Sequence, residues 1–341
     1  MNLGLIILLG FSAACLLCVS STRQNAVFPA IFAFGDSILD TGNNNNLQTL
    51  SKCNFFPYGR DFIGGKATGR FGNGRVLSDI IAQGLGIKDL LSAYRDPNLS
   101  NNDILSGVCF ASGGSGLDDI TARSQGVISI SDQLSDFKTY LKKLNNVTGS
   151  EEKAKEIISK SLFLISVGIN DFALTYFSIL SRRSQYNVPE YTDQMITWTR
   201  SLLQNLYELG AKKFAVSGTL PLGCAPGVRN NTIGGLCINS INKAVEMFNG
   251  KLSTELNNLN ANLIGAKFVY IDLYNSVLDL INNPRKNGFI HVADGCCCMS
   301  TVPIPCMDAS QYVFWDFGHP TEKTYKTISP RIVKELKDNL A

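Results

Sequence analysis

Histidine is almost missing from this chain: its 341 residues include two, His291 and His319. That scarcity leaves a mixed cysteine and histidine zinc site little to draw on, and any mechanism needing an imidazole base must use one of these two residues. An excess of one charge is missing too, since 31 basic and 28 acidic side chains leave a formal charge of +3. The basic residues are dispersed, so no nucleic-acid surface is expected. A long apolar run occurs once, from Leu3 to Val19, and no later stretch is apolar for long enough to cross a bilayer. There is no internal repeat, no dividing linker and no Gly-x-Ser-x-Gly pentapeptide, which removes the main support for an ordinary nucleophile elbow. The stretch from Gly59 approaches a phosphate loop, but its lysine, Lys66, is displaced by one residue and Ala67 stands where a Mg²⁺-binding hydroxyl belongs. Nucleotide chemistry is therefore rejected.

What is present describes a globular protein, because 45% hydrophobic and 17% charged content can bury a large core. The N-terminal run gives way to Ser20, Ser21 and Thr22 and then Arg23, which reads as a secretory signal over residues 1–25, cleaved around Ser21 to Asn25. A membrane anchor is the rival reading, since the run is near the lower length for spanning and lacks an N-terminal Lys or Arg. Residues 26–341 are expected to form one domain without an integral membrane segment. Eight cysteines remain beyond the leader, an even number that suits a disulfide-bonded secreted protein. Cys224 is expected to pair with Cys237 across a Gly, Pro and Asn-rich loop. For Cys296, Cys297, Cys298 and Cys306, disulfides are favoured over metal, with connectivity open. Asn98, Asn146 and Asn230 head glycosylation sequons.

Short apolar runs alternate with helical periodicity along the rest of the chain. Strands are expected at Val27 to Phe34, Val108 to Ala111, Ser161 to Val167, Lys213 to Ser217 and Lys267 to Tyr270. Helical stripes run from Val76 to Leu85, from Leu134 to Leu144 with Ser131 or Asp132 as cap, from Ile196 to Leu209 before Gly210, and from Ile241 to Leu259. Asn43 to Arg75 reads as a long surface loop of the kind that forms a site wall. Strands alternating with helices predict an α/β protein with a parallel sheet of about five strands between helices.

Chemistry-bearing residues fall where these runs end. Ser37 follows the first strand in Gly35-Asp36-Ser37, which is also ordinary turn chemistry. In open α/β sheets, however, the ligand crevice lies at the carboxyl ends of the strands, so Ser37 is a candidate nucleophile. Ser112-Gly113-Gly114-Ser115-Gly116 follows the second strand, and glycine lets backbone amides approach a reacting oxygen. Gly168-Ile169-Asn170-Asp171 follows the third. Near the C-terminus, Asp316 stands three residues before His319. Across a turn, such a carboxylate can accept the Nδ1 hydrogen and leave Nε2 free to take a serine proton. Pro320 fits the first turn of a following helix. Asp294 has the same spacing from His291, but that pair runs into the cysteine cluster and reads as structural, as do Arg70 and Arg75.

Those ordered blocks, with Tyr58-Gly59-Arg60-Asp61, Gly69-Arg70-Phe71, Gly218 to Cys224, Asp294 to Cys298 and Tyr312 to Asp316, resemble the plant branch of the GDSL esterase/lipase family of SGNH hydrolases. Plant extracellular lipases are the most similar group. The resemblance implies a flavodoxin-like three-layer α/β/α sandwich and a secreted serine hydrolase acting on lipid or small acyl esters without a cofactor. It also implies Ser37 as nucleophile, His319 as base and acid, Asp316 as its orienting group, and an oxyanion hole of the Ser37 amide, a glycine amide and the Asn170 side chain. Between Gly113 and Gly114 the run itself does not discriminate, and Gly114 is the expected donor. An acyltransferase using the same residues, and a non-catalytic coat or binding protein on the same fold, are the alternatives. Oligomeric state is not legible.

Overall fold

The computed structural model describes residues 26–178, 182–229, 235–298 and 304–341. The expected leader and the Asn230 sequon lie outside them. Four strands, β1 (Ile31–Gly35), β2 (Leu162–Ser166), β3 (Lys213–Ser217) and β4 (Lys267–Ile271), form a parallel sheet in the order β1-β2-β3-β4. The expected strand at Val108 to Ala111 is less regular. It lies beside β1 through an isolated parallel bridge between Ala33 and Cys109, and through the Phe110 amide, which donates to the Ala33 carbonyl at 2.7 Å. Counting it as the outer strand gives the order 2-1-3-4-5, in which the chain reverses direction across the sheet between β1 and β2.

Why the sheet is covered on both faces follows from strand alternation. Phe32, Phe163, Phe214 and Phe268 are in register across all four strands. Their rings meet at 5.1, 5.7 and 4.4 Å, and each such pair adds about 0.5–1.5 kcal/mol beyond simple burial. This face packs on helices that follow in chain order once α1 (Leu77–Gly84), α2 (Asn101–Ser106) and α3 (Asp119–Gln125) are passed: α4 (Ile130–Thr148), α5 (Glu151–Lys160) and α6 (Val188–Glu208). Beyond the short α7 (Pro226–Arg229), α8 (Asn239–Asn262) completes that layer. Ile31, Ala33, Leu162, Leu164, Ala215 and Ile271 point the other way, onto α1, α9 (Leu273–Asn282) and α10 (Glu322–Leu340). The result is the expected three-layer α/β/α arrangement.

Several local expectations shift. β1 begins at Ile31 rather than Val27, because its partner β2 offers only five residues to pair with. The cap of α4 is Ser129, not Ser131 or Asp132: its hydroxyl accepts from the Asp132 amide, and Asp132 reciprocates from the third helical position. Pro320 precedes the Thr321 cap of α10 instead of entering its first turn. The expected surface loop after β1 is partly internal. Asn43 and Asn44 are 2% and 1% exposed, and their amides donate to the carbonyls of Cys109, Ala111, Ser51 and Gly113.

A small parallel pair, β5 (His291–Gly295) and β6 (Tyr312–Phe314), has no clear apolar alternation and was not foreseen. His291 stacks on Tyr312 there, ring centroids 4.1 Å apart, which accords with its structural reading. Cys224 pairs with Cys237 as expected, Cys296 with Cys306, and Cys297 with its neighbour Cys298. Cys53 and Cys109 are buried thiols. Among the described residues, no helix is long and apolar enough to cross a membrane.

Arg70 and Arg75 both make ion pairs. The buried Arg70 meets Asp79 through Nε to Oδ2 at 2.7 Å and Nη2 to Oδ1 at 2.8 Å, and also donates to the Leu91 carbonyl. Arg75 meets Glu322 from a more exposed position. Removing one partner of a buried pair strands the other charge. Arg70→Leu is therefore expected to cost about 3–5 kcal/mol in urea unfolding, and Arg75→Leu about 1 kcal/mol or less.

Candidate active site

The end of β1 is held in a way that few residues permit. Gly35 has φ +125°, and a Cβ there would sit 1.8 Å from the Ser166 carbonyl oxygen of β2. Glycine alone fits so close an approach. The Asp36 amide then donates to that same carbonyl at 3.2 Å. On the other side, Gln133 of α4 hydrogen-bonds both backbone groups of Gly35, at 2.8 and 2.9 Å. Ser37 thus leaves the sheet from a fixed backbone, at the reversal between β1 and β2 where ligands bind in open α/β sheets.

A second loop delivers the imidazole. Residues 315–319 turn tightly after β6, closed by the Trp315 amide donating to the His319 carbonyl at 2.7 Å. Asp316 Oδ1 accepts from the amides of Gly318 and His319 at 2.9 and 2.8 Å. The carboxylate also lies against His319 Nδ1, at 2.9 Å from Oδ1 and 2.8 Å from Oδ2. A three-residue spacing works because one carboxylate both shapes the turn and faces the ring that the turn presents. With its proton on Nδ1, the imidazole leaves Nε2 as an acceptor, and Ser37 Oγ stands 2.9 Å from it. Burial by itself disfavours the imidazolium, but the Asp316 charge and hydrogen bond outweigh it and raise the His319 pKa above its ordinary value. Burial likewise works against the Asp316 charge, yet His319 and the two loop amides hold its pKa below the usual carboxylate range.

Asn170 stands at the start of a π-helical turn, Asp171–Tyr176, directly after β2. Such turns are frequent at functional sites. Its side-chain amide donates to the Ser115 carbonyl at 2.8 Å, so one of its two N–H groups is used in orienting it. The glycine run is tied down from both sides. Asp171 accepts from the Leu117 and Asp118 amides, each at 2.9 Å, and Asp40 Oδ2 accepts from the Gly113 amide at 2.8 Å. That bond commits Gly113, and a Cβ on it would strike the Phe71 ring. Gly114, at φ +86°, instead lines a cavity of about 520 Å³ together with Ser37, Asn170 and His319. The rest of the wall is largely apolar, with Ile169, Leu174, Leu222, Val228 and Phe317 prominent.

The structure therefore brings Ser37, His319, Gly114 and Asn170 to one cavity, with Asp316 buried against His319, while Asn98 and Asn146 are exposed elsewhere, the latter in the last turns of α4. Sequence reasoning gave no role to Asp40, Asp171 or Tyr58 and did not single out Gln133. Gln133 left one signal, a polar residue beside the apolar stripe of its helix. Among the described residues, no group of three or more histidine, cysteine, aspartate or glutamate side chains could hold a metal.

The profile of the GDSL-like lipase/acylhydrolase family matches residues 31–332. A GDSL esterase/lipase of Arabidopsis thaliana is 61% identical over 348 aligned residues, covering 100% of both chains. A second from the same plant is 58% identical over 98% of this chain and 97% of its own. Among solved structures, the acetylxylan esterase Axe2 of Geobacillus stearothermophilus aligns over 91% of this chain and 96% of its own, at 13% identity and a TM-score of 0.42.

Three buried carboxylates behind the cavity bear a cost of desolvation. Burial pushes Asp36 up to about 7, and Asp40 and Asp171 to about 6. A carboxyl whose folded pKa is raised binds its proton more tightly when folded, so stability falls as pH climbs from the unfolded pKa through the folded one. Asp36→Asn keeps an oxygen for the Ile38 amide and cannot ionise. Its melting temperature should decline less than the wild type's between about pH 4 and about pH 7, as read by calorimetry.

Proposed function

The chain belongs to the GDSL-like lipase/acylhydrolase family and is a carboxylic ester hydrolase, and from that premise we propose that Ser37, His319 and Asp316 carry the reaction through an acyl-enzyme. The observation that supports this most directly is the continuous contact from Ser37 Oγ to His319 Nε2 and from Nδ1 to Asp316. A serine hydroxyl is hardly ionised at neutral pH and needs such a base. In the first step Ser37 Oγ attacks the ester carbonyl carbon while its proton passes to His319 Nε2. Negative charge then gathers on the carbonyl oxygen, opposite the amides of Ser37 and Gly114 and the side-chain amide of Asn170. These donors are already oriented by the bonds to Ser115, Asp40 and Asp171, so little reorganisation accompanies the charge. His319 returns the proton to the departing alcohol. Water repeats the sequence on the acyl-enzyme and releases the acid.

The cavity favours an apolar acyl group, since its walls are chiefly Ile, Leu, Val, Ala and Phe side chains. A secreted setting is supported by the leader-like N-terminus and by three disulfides, which persist in oxidising compartments. Glycans at Asn98, Asn146 and Asn230 are part of the same reading.

Purified protein offered p-nitrophenyl esters of increasing acyl length should hydrolyse them, and a fluorophosphonate probe should label Ser37. Ser37→Ala should abolish both; hydrolysis that survives this substitution would sink the mechanism. Because His319 must be neutral to accept a proton and its pKa is raised, kcat/KM should climb with pH through a midpoint above about 6.5. Asn170→Ala should lower kcat on the order of a hundredfold while Ser37 still reacts with the probe.

A further inference from the structure

The loop between Leu50 and Tyr58 forms one wall of the cavity, and one of its side chains reaches past the substrate space to the triad. Tyr58 OH donates to Asp316 Oδ2 at 2.8 Å, joining positions 258 residues apart in the chain. The ring is 7% exposed. It lies edge-on to Phe55 and to Trp315, at 5.5 and 6.5 Å, in a cluster that includes the buried Cys53.

A buried phenol usually finds a hydrogen-bond partner, and any nearby carbonyl would serve. Here the partner is the carboxylate that orients the base. Of its donors among the described residues, the Gly318 and His319 amides and the His319 ring all come from its own loop. Tyr58 is the one that comes from elsewhere, and it shares Oδ2 with the imidazole.

We propose that Tyr58 is a positioning residue for ester cleavage, its hydroxyl holding the Asp316 carboxylate so that His319 faces Ser37. This rests on the triad reading above. Asp316 can rotate about its side-chain bonds, and a donor fixed in the opposite wall restricts that rotation. Each hydrogen bond given to a carboxylate also lowers its proton affinity and softens its pull on the neighbouring imidazolium. Without the hydroxyl, Asp316 becomes more basic and holds the proton on His319 more strongly. The other titratable groups around the pair are Cys53 and Tyr325, which face Asp316, and Asp36, which faces His319 and Tyr325. All of them remain in a Tyr58→Phe variant.

The test follows ester hydrolysis by wild type and Tyr58→Phe across pH, together with the titration of the His319 ring by NMR, which does not depend on turnover. Tyr58→Phe should lower kcat about tenfold with KM within about twofold. Its acid limb and the His319 titration should both move to higher pH. Replacement of Tyr58 by 2,3-difluorotyrosine keeps the shape and strengthens the donor, so it should move both to lower pH. A His319 titration unmoved by either change overturns the proposal, even if Tyr58→Phe melts earlier or turns over more slowly. Should Tyr58→Phe fail to fold, the fluorinated protein decides alone by the same criterion. Wild-type turnover that persists in Ser37→Ala would count against the triad reading, and the His319 titration would still report on Tyr58.

Discussion

Asp316 carries a buried negative charge at 0% exposure, and much of the site is arranged to keep it there. An isolated carboxylate in such surroundings is costly, and it stays ionised only where donors replace the water it has lost. Two come from amides of its own turn, so meeting that need folds the loop 315–319 into the shape that presents His319. The imidazole is a third, and its orientation follows from the same requirement. The fourth, Tyr58, binds the turn to the opposite cavity wall. Solvating one charge therefore links the C-terminal loop, the segment after β1 and the Ser37 hydroxyl.

The serine side of the cavity relies on a different constraint, the close approach of β1 and β2. Gly35 lets the two strand ends come together, and the loops leaving them are then tied by carboxylates that pair with backbone amides rather than with cations. Asp40 holds the glycine run from one side and Asp171 from the other. Burial raises the pKa of both, so the order they impose on these loops is set against a desolvation cost.

Much of this was legible in the order of residues. Apolar runs of strand length, four of the five ending at glycine or serine, identified the strands and most of their carboxyl ends. The near absence of histidine narrowed the candidate base to His319, and the spacing to Asp316 reflects a contact made within one turn. Elements without a strong period were harder to find. The strand at 291–295 is short and partly exposed and the one at 312–314 has only three residues, and the Asn43 to Asn46 run looks like any polar loop until the amides of Asn43 and Asn44 are seen serving buried carbonyls.

The sequence by itself determined the fold class and the order of the candidate site residues along the chain, because periodicity and local spacing are properties of neighbours. Only the tertiary structure decided which glycine faces the cavity, which cysteines stay unpaired, and that Tyr58 touches Asp316. Gly113 and Gly114 differ solely in what surrounds them: the amide of one meets Asp40, seventy-three positions earlier, while the other residue lines the cavity. Contacts between distant segments follow from how helices and strands pack together, and nothing in either segment alone records its partner.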